Sequence, residues 1–306
     1  MNFNNWSLCC ISKSLSDSKQ NFKTMTLSQF NKQSKIISLK ELCSRILHNI
    51  VHTHRTIRFC QDNNISGYRI SSSLFPVITH DSVNLCISEL PNFSEIKAEL
   101  ERIKQTIQKK FIKLSAHPSE YISLSTNDPV ILKNSFRDLA QHAELFDLLG
   151  LPQDYSCPLN IHVRKDGDPR AITDNVMRNY ETLPDNVRNR LVLENNDNRN
   201  GVWSIQNLFK YFAKPYKIPI TFDYLHHSLL PGDLSEKDAF QLAHSTWGDY
   251  TPLFHYSEGI VEKNMVTKKH KDLPDSYPAI HNPHIFLDVE LKHKDQAIFK
   301  LQNHIL

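Results

Sequence analysis

The sequence predicts an α/β protein with the (β/α)8 architecture of a TIM barrel, folded as a single domain over residues 1–306. Eight short apolar runs rich in β-branched residues alternate with longer segments of helical periodicity, which is the pattern of a parallel sheet. The chain has 306 residues, and a closed barrel with its helices typically takes about 250. No G-x-G-x-x-G motif follows the first run, which disfavours an open dinucleotide-binding sheet.

The predicted strands are short, and most of them end where polar residues begin. Continuous apolar or β-branched runs of roughly four to eight residues are typical of strands that are buried on both faces. The eight runs are WSLCC (6–10), SGYRIS (66–71), FIKLSAH (111–117), PLNIHV (158–163), RLVLEN (190–195), IPITFDY (218–224), PLFHYS (252–257) and HIFLDVE (284–290).

Amphipathic segments between these runs predict helices. One of them begins after Thr126, where Asn127 or Asp128 can serve as the N-cap and Pro129 fits the first turn. Strand–helix alternation of this kind predicts parallel strands joined by crossover helices. The predicted helical segments are 39–61, 94–110, 127–149, 170–181, 203–213 and 235–246.

Composition and charge limit the environment and the partners. A net charge of +3 and a pI near 8.4 permit a nucleic-acid partner without requiring one. The six cysteines form no C-x-x-C pair, which indicates reduced thiols in a reducing compartment. No stretch approaches the roughly 20 apolar residues of a membrane span. We therefore expect an intracellular protein, in a cytoplasm, nucleoid or nucleus, with no membrane partner.

A carboxylate or an imidazole ends each of six consecutive predicted strands. In a parallel barrel the C-terminal ends of the strands converge on one mouth, so these side chains are expected to meet. The strand-end residues, from the third strand to the eighth, are His117, His162, Glu194, Asp223 with His226 just beyond it, His255 and Glu290.

Such a cluster predicts divalent metal ions. Any one of these residues alone is more often a hydrogen-bonded structural group or a helix cap. Several together in a partly dry mouth carry a large electrostatic cost unless cations compensate them. Imidazole and carboxylate without thiolate fit catalytic zinc or manganese better than magnesium. Seven ligands exceed the needs of one ion, so two or three Mn²⁺ or Zn²⁺ ions sharing a carboxylate are expected, as in hydrolases that cleave phosphodiesters.

Several motifs resemble the UV-damage endonucleases, a branch of the metal-dependent barrels that includes the endonuclease-IV-type abasic-site enzymes. The similar stretches occur in the family's order and extend over nearly the whole chain. They are LCCISKSL (8–15), KTMTL (23–27), FPVITHD (75–81), SAHPSEY (115–121), LVLENNDN (191–198), FDYLHHSLLPG (222–232), HYS (255–257) and VELKHKD (289–295).

The resemblance implies that Glu194 bridges two metal ions. Each ion would be completed by ligands from other strand ends, and Glu194, Asp223 and Glu290 would be the catalytic carboxylates. The expected ligands are His117 and His162 with Glu194 at one ion, and Asp223, His255 and Glu290 at the other.

A third ion is implied at His226. Its second ligand would be a histidine after the seventh strand, for which His270 is the first choice and His281 the alternative. His80 corresponds to a histidine near the family's site. His227 is expected to support the ligand shell rather than to bind metal.

The implied reaction is hydrolysis of the phosphodiester on the 5′ side of a damaged nucleotide in double-stranded DNA, without a covalent protein intermediate. UV photoproducts are the implied lesions, with abasic sites as a further candidate. An alternative is a metal-dependent sugar isomerase or epimerase, because related barrels bind two metals with the same residue types. A monomer is the simpler expectation for a barrel that binds a duplex.

The sequence departs from the family at residues that contact DNA. A tyrosine and an asparagine near the first strand align with Leu8 and Ser12, and the family's Gln-Tyr or Gln-Phe pair becomes Glu120–Tyr121. Tyr121 can still stack against a base, whereas Glu120 brings a negative charge toward DNA. These changes affect lesion preference and leave the metal ligands intact.

Basic residues near the strand ends are candidates for phosphate contact. Arg69 ends the second strand, Arg199 follows the Glu194 motif, and Lys292 follows the eighth strand. The segment VTKKHKD (266–272) is expected to be a basic loop at the same rim.

Overall fold

Ten strands form in the described part of this protein, eight of them in one sheet. The computed structural model describes residues 3–15, 21–164 and 166–303 of the chain. The strands in these residues are β1 (Trp6–Cys9), β2 (Gly67–Ile70), β3 (Lys113–Ala116), β4 (Leu159–His162), β5 (Leu191–Glu194), β6 (Ile220–Thr221), β7 (Leu253–Tyr256), β8 (Gly259–Glu262), β9 (Met265–His270) and β10 (Phe286–Val289).

The large sheet is a closed parallel barrel. Its strand order is β6-β5-β4-β3-β2-β1-β10-β7, and a parallel bridge between Asp223 and His255 joins the two ends of this order. Strands β1, β2, β3, β5, β7 and β10 are buried along their whole length, because side chains fill the barrel interior and helices cover the outside. The predicted (β/α)8 TIM barrel is confirmed.

Helices surround the barrel, and several of them begin at a residue whose side chain caps the first turn. Asp128 accepts hydrogen bonds from the backbone N–H groups of Val130 and Ile131, so it is the N-cap of α4. No helix in the described parts of the chain is long and apolar enough to cross a membrane. The helices are α1 (Leu27–Phe30), α2 (Lys35–Asp62), α3 (Phe93–Lys109), α4 (Pro129–Leu148), α5 (Pro169–Glu181), α6 (Asp185–Arg188), α7 (Ile205–Leu208), α8 (Lys214–Tyr216), α9 (Tyr224–Leu229), α10 (Glu236–Ser245) and α11 (Asp295–Asn303), with 3₁₀ turns at Ser72–Leu74 and Ile87–Glu89 and a π-helical turn at Phe209–Ala213.

The segment between β7 and β10 forms a hairpin where a regular barrel would have a helix. Strands β8 and β9 are antiparallel, and Lys263 and Asn264 both have positive φ in the tight turn between them. The expectation of a basic loop at 266–272 is therefore wrong over most of its length, because those residues pair with β8. A Cβ at Gly259 would clash with the backbone oxygen of Thr267 in β9, so glycine permits the close approach of the two hairpin strands.

One charged side chain is buried at the first residue of β3. Lys113 is 5% exposed, and its ammonium group donates to the carbonyl of Thr251 at 3.3 Å and lies 5.5 Å from the ring centre of Phe286. Burial lowers the pKa of Lys113 to about 8. Lys113 therefore loses its proton at a lower pH in the folded protein than in the unfolded chain.

Substituting this lysine should remove a pH-dependent contribution to stability. Unfolded lysine has a pKa of about 10.4, so the wild-type free energy of unfolding gains up to about 3 kcal/mol from Lys113 as the pH rises from about 8 to about 10.4. Lys113→Met lacks this gain. Its stability relative to wild type should therefore fall by about 2–3 kcal/mol between pH 7 and pH 10.5 in urea titrations. Parallel pH profiles for the two proteins would contradict this prediction.

Candidate metal centre

The strand-end residues predicted from the sequence converge at one end of the barrel. Adjacent strands hold them in register: His162 in β4 is the Cα partner of Glu194 in β5, and Asp223 pairs with His255. Because parallel strands run in the same direction, their C-terminal ends form one mouth. The residues found there are His117, His162, Glu194, Asp223, His226, His255 and Glu290.

Glu194 is the centre of this cluster. Its side chain is buried, and the side-chain amide of Asn160 donates a hydrogen bond to it. Imidazoles from four different segments surround its carboxylate, so Glu194 is close to all four of these histidines. The distances from its oxygens are 3.2 Å to His117 Nε2, 3.6 Å to His162 Nε2, 3.1 Å to His226 Nδ1 and 3.1 Å to His255 Nδ1.

Three overlapping sets of side chains are close enough to share a cation. Within each set, one ligand atom from each residue lies within 4.8 Å of the others. Two of the sets have the membership expected from the sequence, and in the remaining set His226 joins two carboxylates. The sets are His117, His162 and Glu194; Glu194, Asp223 and His226; and Asp223, His255 and Glu290.

His270 lies beside the cluster, and His281 does not. At the end of β9, His270 Nδ1 is 2.9 Å from the backbone oxygen of Glu290, and its Nε2 is 4.0 Å from the Glu290 carboxylate. His281 Nε2 instead lies 3.1 Å from the Glu236 carboxylate, and its ring packs against Phe240 of α10. Of the two histidines considered for the last ligand position, His270 is therefore the better placed.

The buried carboxylates differ in how the surroundings stabilise their charge. Burial by itself would raise the pKa of Glu194, but the nearby imidazoles of His255 and His162 hold it well below its usual range. Burial dominates at Asp223 and raises its pKa to about 6. At Glu290 burial is outweighed by Arg69, and the pKa is lowered. The cluster thus keeps at least two carboxylates ionised at neutral pH.

The imidazoles are tuned in opposite directions. Burial lowers the pKa of His162 to about 3, so this ring is neutral and can donate a lone pair. Burial also opposes charge on His255, but the carboxylates of Glu194 and Glu290 outweigh it and raise the pKa to about 9. The pKa of His226 is raised as well, because Asp223 and Glu194 overcome its burial.

Hydrogen bonds away from the cluster orient two of the rings. His117 Nδ1 lies 3.1 Å from the carbonyl oxygen of Pro118, and His162 Nδ1 lies 3.1 Å from the side-chain oxygen of Asn196. In the tautomer that satisfies these contacts, Nδ1 carries the proton and donates it. The Nε2 lone pair of each ring then faces Glu194, which is the arrangement that histidine ligands of metals adopt.

Several buried polar atoms in the mouth make no hydrogen bond to the described residues. They include Asp223 Oδ2, both ring nitrogens of His255 and both carboxylate oxygens of Asp288. Leaving such atoms unpaired costs free energy, more for charged groups than for neutral ones. The unpaired atoms and the N/O donor set both fit divalent cations of the zinc or manganese type.

Arg69 occupies a different place from the rim position expected for a DNA contact. It is buried, and its guanidinium group donates to Glu290 and lies 3.6 Å from Asp288 Oδ2. Burial opposes its charge, but the neighbouring acidic groups raise its pKa. Because its charge is neutralised inside the mouth, we assign Arg69 to the support of Glu290 rather than to phosphate binding.

His80 and His227 lie outside the three ligand sets. His80 lines a cavity of about 470 Å³ together with Tyr121, and its Nδ1 accepts a hydrogen bond from the backbone of Ser82. His227 is buried against the ring of Phe222, with the ring centres 5.4 Å apart. His80 is thus near the rim, and His227 packs in the core behind Asp223.

Three further residues of the mouth were missed in the sequence. Asn160 of β4 stands two residues before His162, and Asp288 of β10 stands two residues before Glu290. Strand alternation therefore places each of them on the same inward face as the ligand candidate that follows it. Asn195 accepts a hydrogen bond from the backbone N–H of Asp223 at 2.8 Å and fixes that loop. The period of two along each strand was the signal that could have identified the first two.

The candidate DNA-contacting residues on the rim differ in exposure. Tyr121 is 82% exposed and Glu120 is exposed beside it. Arg199 donates to the backbone oxygen of Val266 at 2.6 Å and so tethers the β8–β9 hairpin to the loop after β5. Lys292 is half exposed and lies 3.5 Å from Asp272.

Leu8 and Ser12 are not available for contact with DNA. Both are buried, Leu8 in β1 and Ser12 in the following turn, where its hydroxyl accepts a hydrogen bond from the backbone of Leu15. Neither side chain can therefore make the duplex contact that the sequence resemblance implies at these positions.

Comparison with known proteins identifies the family. A sequence model described as UV-endonuclease UvdE matches residues 5–306. This chain belongs to the UvdE family. The UV DNA damage endonuclease of Nostoc sp. is 33% identical over 94% of this chain and 87% of its own length. The UV-damage endonuclease of Schizosaccharomyces pombe is 29% identical over 86% of this chain and 44% of its own length. Family membership and these relatives confirm the prediction that this protein is an endonuclease.

Solved structures place the fold in the same group. The structure titled SacUVDE matches with a TM-score of 0.81 and 23% identity, covering 98% of this chain and 97% of that one. Endonuclease IV from Thermus thermophilus matches with a TM-score of 0.57, 13% identity and coverage of 82% and 93%. A D-tagatose 3-epimerase-like protein gives 0.54 with 11% identity, covering 80% and 88%. The barrel is therefore shared with the sugar epimerases, and it is the UvdE family match that decides against that alternative.

Cation binding should weaken as the pH falls. Since the pKa of His255 in the cation-free protein is raised to about 9, a divalent cation must displace a proton from it at neutral pH. Each displaced proton makes the affinity fall about tenfold for each pH unit below that pKa. Titration calorimetry with Mn²⁺ between pH 6 and pH 8, in two buffers of different ionisation heat, should show this slope and proton release. An affinity that is independent of pH would contradict the prediction.

Proposed function

We propose that this protein hydrolyses the phosphodiester on the 5′ side of a damaged nucleotide in double-stranded DNA, with two or three divalent cations held in the mouth of the barrel. UV photoproducts are the proposed main substrates, with abasic sites as a second class. All candidate ligands come from one chain, so the proposal requires no second copy of the protein.

The observation that supports this proposal most strongly is the position of Glu194. One buried carboxylate contacts four imidazoles and belongs to two of the three ligand sets, so it can bridge two cations. A mouth that carries this many acidic and imidazole groups is suited to bind cations and, through them, a phosphate. Family membership supports DNA as the polymer that carries this phosphate.

The chain's own residues position the reacting groups. Bound cations supply a water of lowered pKa and neutralise charge on the phosphate. His117, His162 and His255 approach one oxygen of Glu194, Oε2, and His226 approaches the other, Oε1. Asp223, His255 and Glu290 form a separate ligand set beside it. Fixed strand ends hold these atoms, so little reorganisation is needed when substrate binds.

The rim supplies the features expected of a DNA-binding surface. Tyr121 projects into solvent and can stack on a base or wedge into a distorted step of the duplex. The β8–β9 hairpin carries Lys268 and Lys269, whose side chains are 73% and 63% exposed. We propose that Tyr121, Arg199, Lys292 and this hairpin contact the duplex while the mouth receives the scissile phosphate.

Removing the charge of Glu194 should abolish incision. With Mn²⁺ and a duplex that carries one pyrimidine dimer or one abasic site, we expect wild-type protein to cut once, immediately 5′ to the lesion. Glu194→Gln should lower the rate at least about 10³-fold, because the carboxylate shared by two cations is lost.

The matched control is Glu101→Gln, the same chemical change on the exposed face of α3. It should cut at the wild-type rate, and circular dichroism should show that both variants are folded. Incision by Glu194→Gln at a rate within tenfold of wild type would refute the bridging role. Absence of incision by the wild-type protein on both substrates would refute the proposed reaction.

Neutralising Glu120 should strengthen duplex binding. Its exposed carboxylate lies beside Tyr121 at the rim and repels phosphates, so Glu120→Gln should lower the Kd for damaged duplex by about two- to fivefold at low salt. The gain should shrink as salt screens the charge. Fluorescence anisotropy at several salt concentrations measures this, with Glu101→Gln as control. Unchanged or weaker binding by Glu120→Gln would place this side chain away from DNA.

A further inference from the structure

We infer that Asp288 is a positioning residue that holds the Nε2 proton of His255 and thereby directs the Nδ1 lone pair of that ring to a divalent cation. The inference rests on the proposed function for the presence of the cation. It concerns a residue outside the three ligand sets, since Asp288 belongs to none of them.

The barrel places Asp288 and His255 side by side. They are Cα partners in the parallel pairing of β10 with β7, and both side chains are fully buried. His255 Nε2 lies 3.7 Å from Asp288 Oδ2, slightly beyond a hydrogen bond, and nothing in the described parts of the chain bonds either group in its place. A small adjustment of either side chain would complete the contact.

The two nitrogens of His255 face different partners. Nδ1 lies 3.1 Å from Glu194 and 3.4 Å from Glu290, on the side where a cation shared with Asp223 would sit. Nε2 faces Asp288. A neutral imidazole carries one proton, so a carboxylate at Nε2 favours the tautomer that leaves Nδ1 free to coordinate.

Arg69 and His255 both lie near Oδ2 of Asp288, and neither forms a hydrogen bond with it. The guanidinium group of Arg69, 3.6 Å away, donates to Glu290 instead, which leaves Asp288 Oδ2 able to accept from His255 Nε2 at 3.7 Å. A buried carboxylate with no hydrogen-bond partner is costly, so its presence beside His255 calls for a role. In metal sites, a carboxylate behind a histidine ligand fixes the ring and increases its basicity.

The test compares Asp288→Asn and Asp288→Leu with wild type. Asparagine keeps an oxygen that can accept the Nε2 proton, whereas leucine of similar size cannot. Mn²⁺ binding in the absence of DNA should be weakened by about 10- to 100-fold in Asp288→Leu and by less in Asp288→Asn. Leu287→Val, a mild change at the adjacent buried position of β10, controls for loss of packing and should bind Mn²⁺ as wild type does.

A spectroscopic measurement reads the tautomer directly. In the Zn²⁺-loaded protein labelled with ¹⁵N-histidine, the signals of His255 can be assigned by their loss in His255→Gln. We expect a proton on Nε2 and coordination through Nδ1 in wild type and in Asp288→Asn. Asp288→Leu should lose this pattern, through either loss of the ion or a change of tautomer. Asp288→Asn retains the shape of the side chain and keeps the test informative if Asp288→Leu does not fold.

The inference would be overturned by wild-type Mn²⁺ affinity in both Asp288 variants, or by coordination of Zn²⁺ through Nε2. Neither measurement uses DNA. Metal binding that depends on Asp288, in a wild-type protein that cuts no DNA, would support this inference and refute the proposed reaction. Incision by wild type together with unaltered metal binding in both variants would do the reverse.

Discussion

The concentration of buried negative charge at the barrel mouth is the constraint on which the rest of this structure depends. Glu194, Asp223 and Asp288 are almost completely shielded from water, and Glu290 is only slightly more exposed. Arg69 supplies one permanent positive charge among them. The imidazoles can balance the remainder only by holding protons, as the raised pKa of His255 indicates. Divalent cations would provide the same compensation and release those protons.

The barrel provides the rigidity that such a site requires. The strand ends fix the Cα positions of the ligands, and each end is held by neighbours on both sides. One step further inside, Asn160 donates a hydrogen bond to Glu194, and Asp288 lies 3.7 Å from His255. The candidate ligand atoms are therefore backed by a second layer of strand residues, an arrangement that limits their movement.

The candidate metal ligands and the candidate DNA contacts are separated in space. The ligand candidates are buried or partly buried in the mouth, whereas Tyr121, Glu120 and the hairpin lysines are in solvent at the rim. Leu8 and Ser12, where the resemblance implies DNA contacts, are buried next to β1. If the proposed function holds, changes at the rim would alter recognition of the lesion and leave the ligand cluster in the mouth unchanged.

The sequence by itself determined the barrel and the cluster of candidate ligands at its mouth. Alternating strand and helix patterns predict parallel strands, and parallel strands bring their C-terminal ends together, so His117, Glu194, Asp223 and Glu290 could be found from position alone. Only the tertiary structure decided the direction and partners of each side chain. Arg69 is also at a strand end, but it turns inward to Glu290, and the lysine-rich segment expected to be a loop pairs as β9. Those outcomes depend on contacts between residues distant in sequence, which local periodicity does not encode.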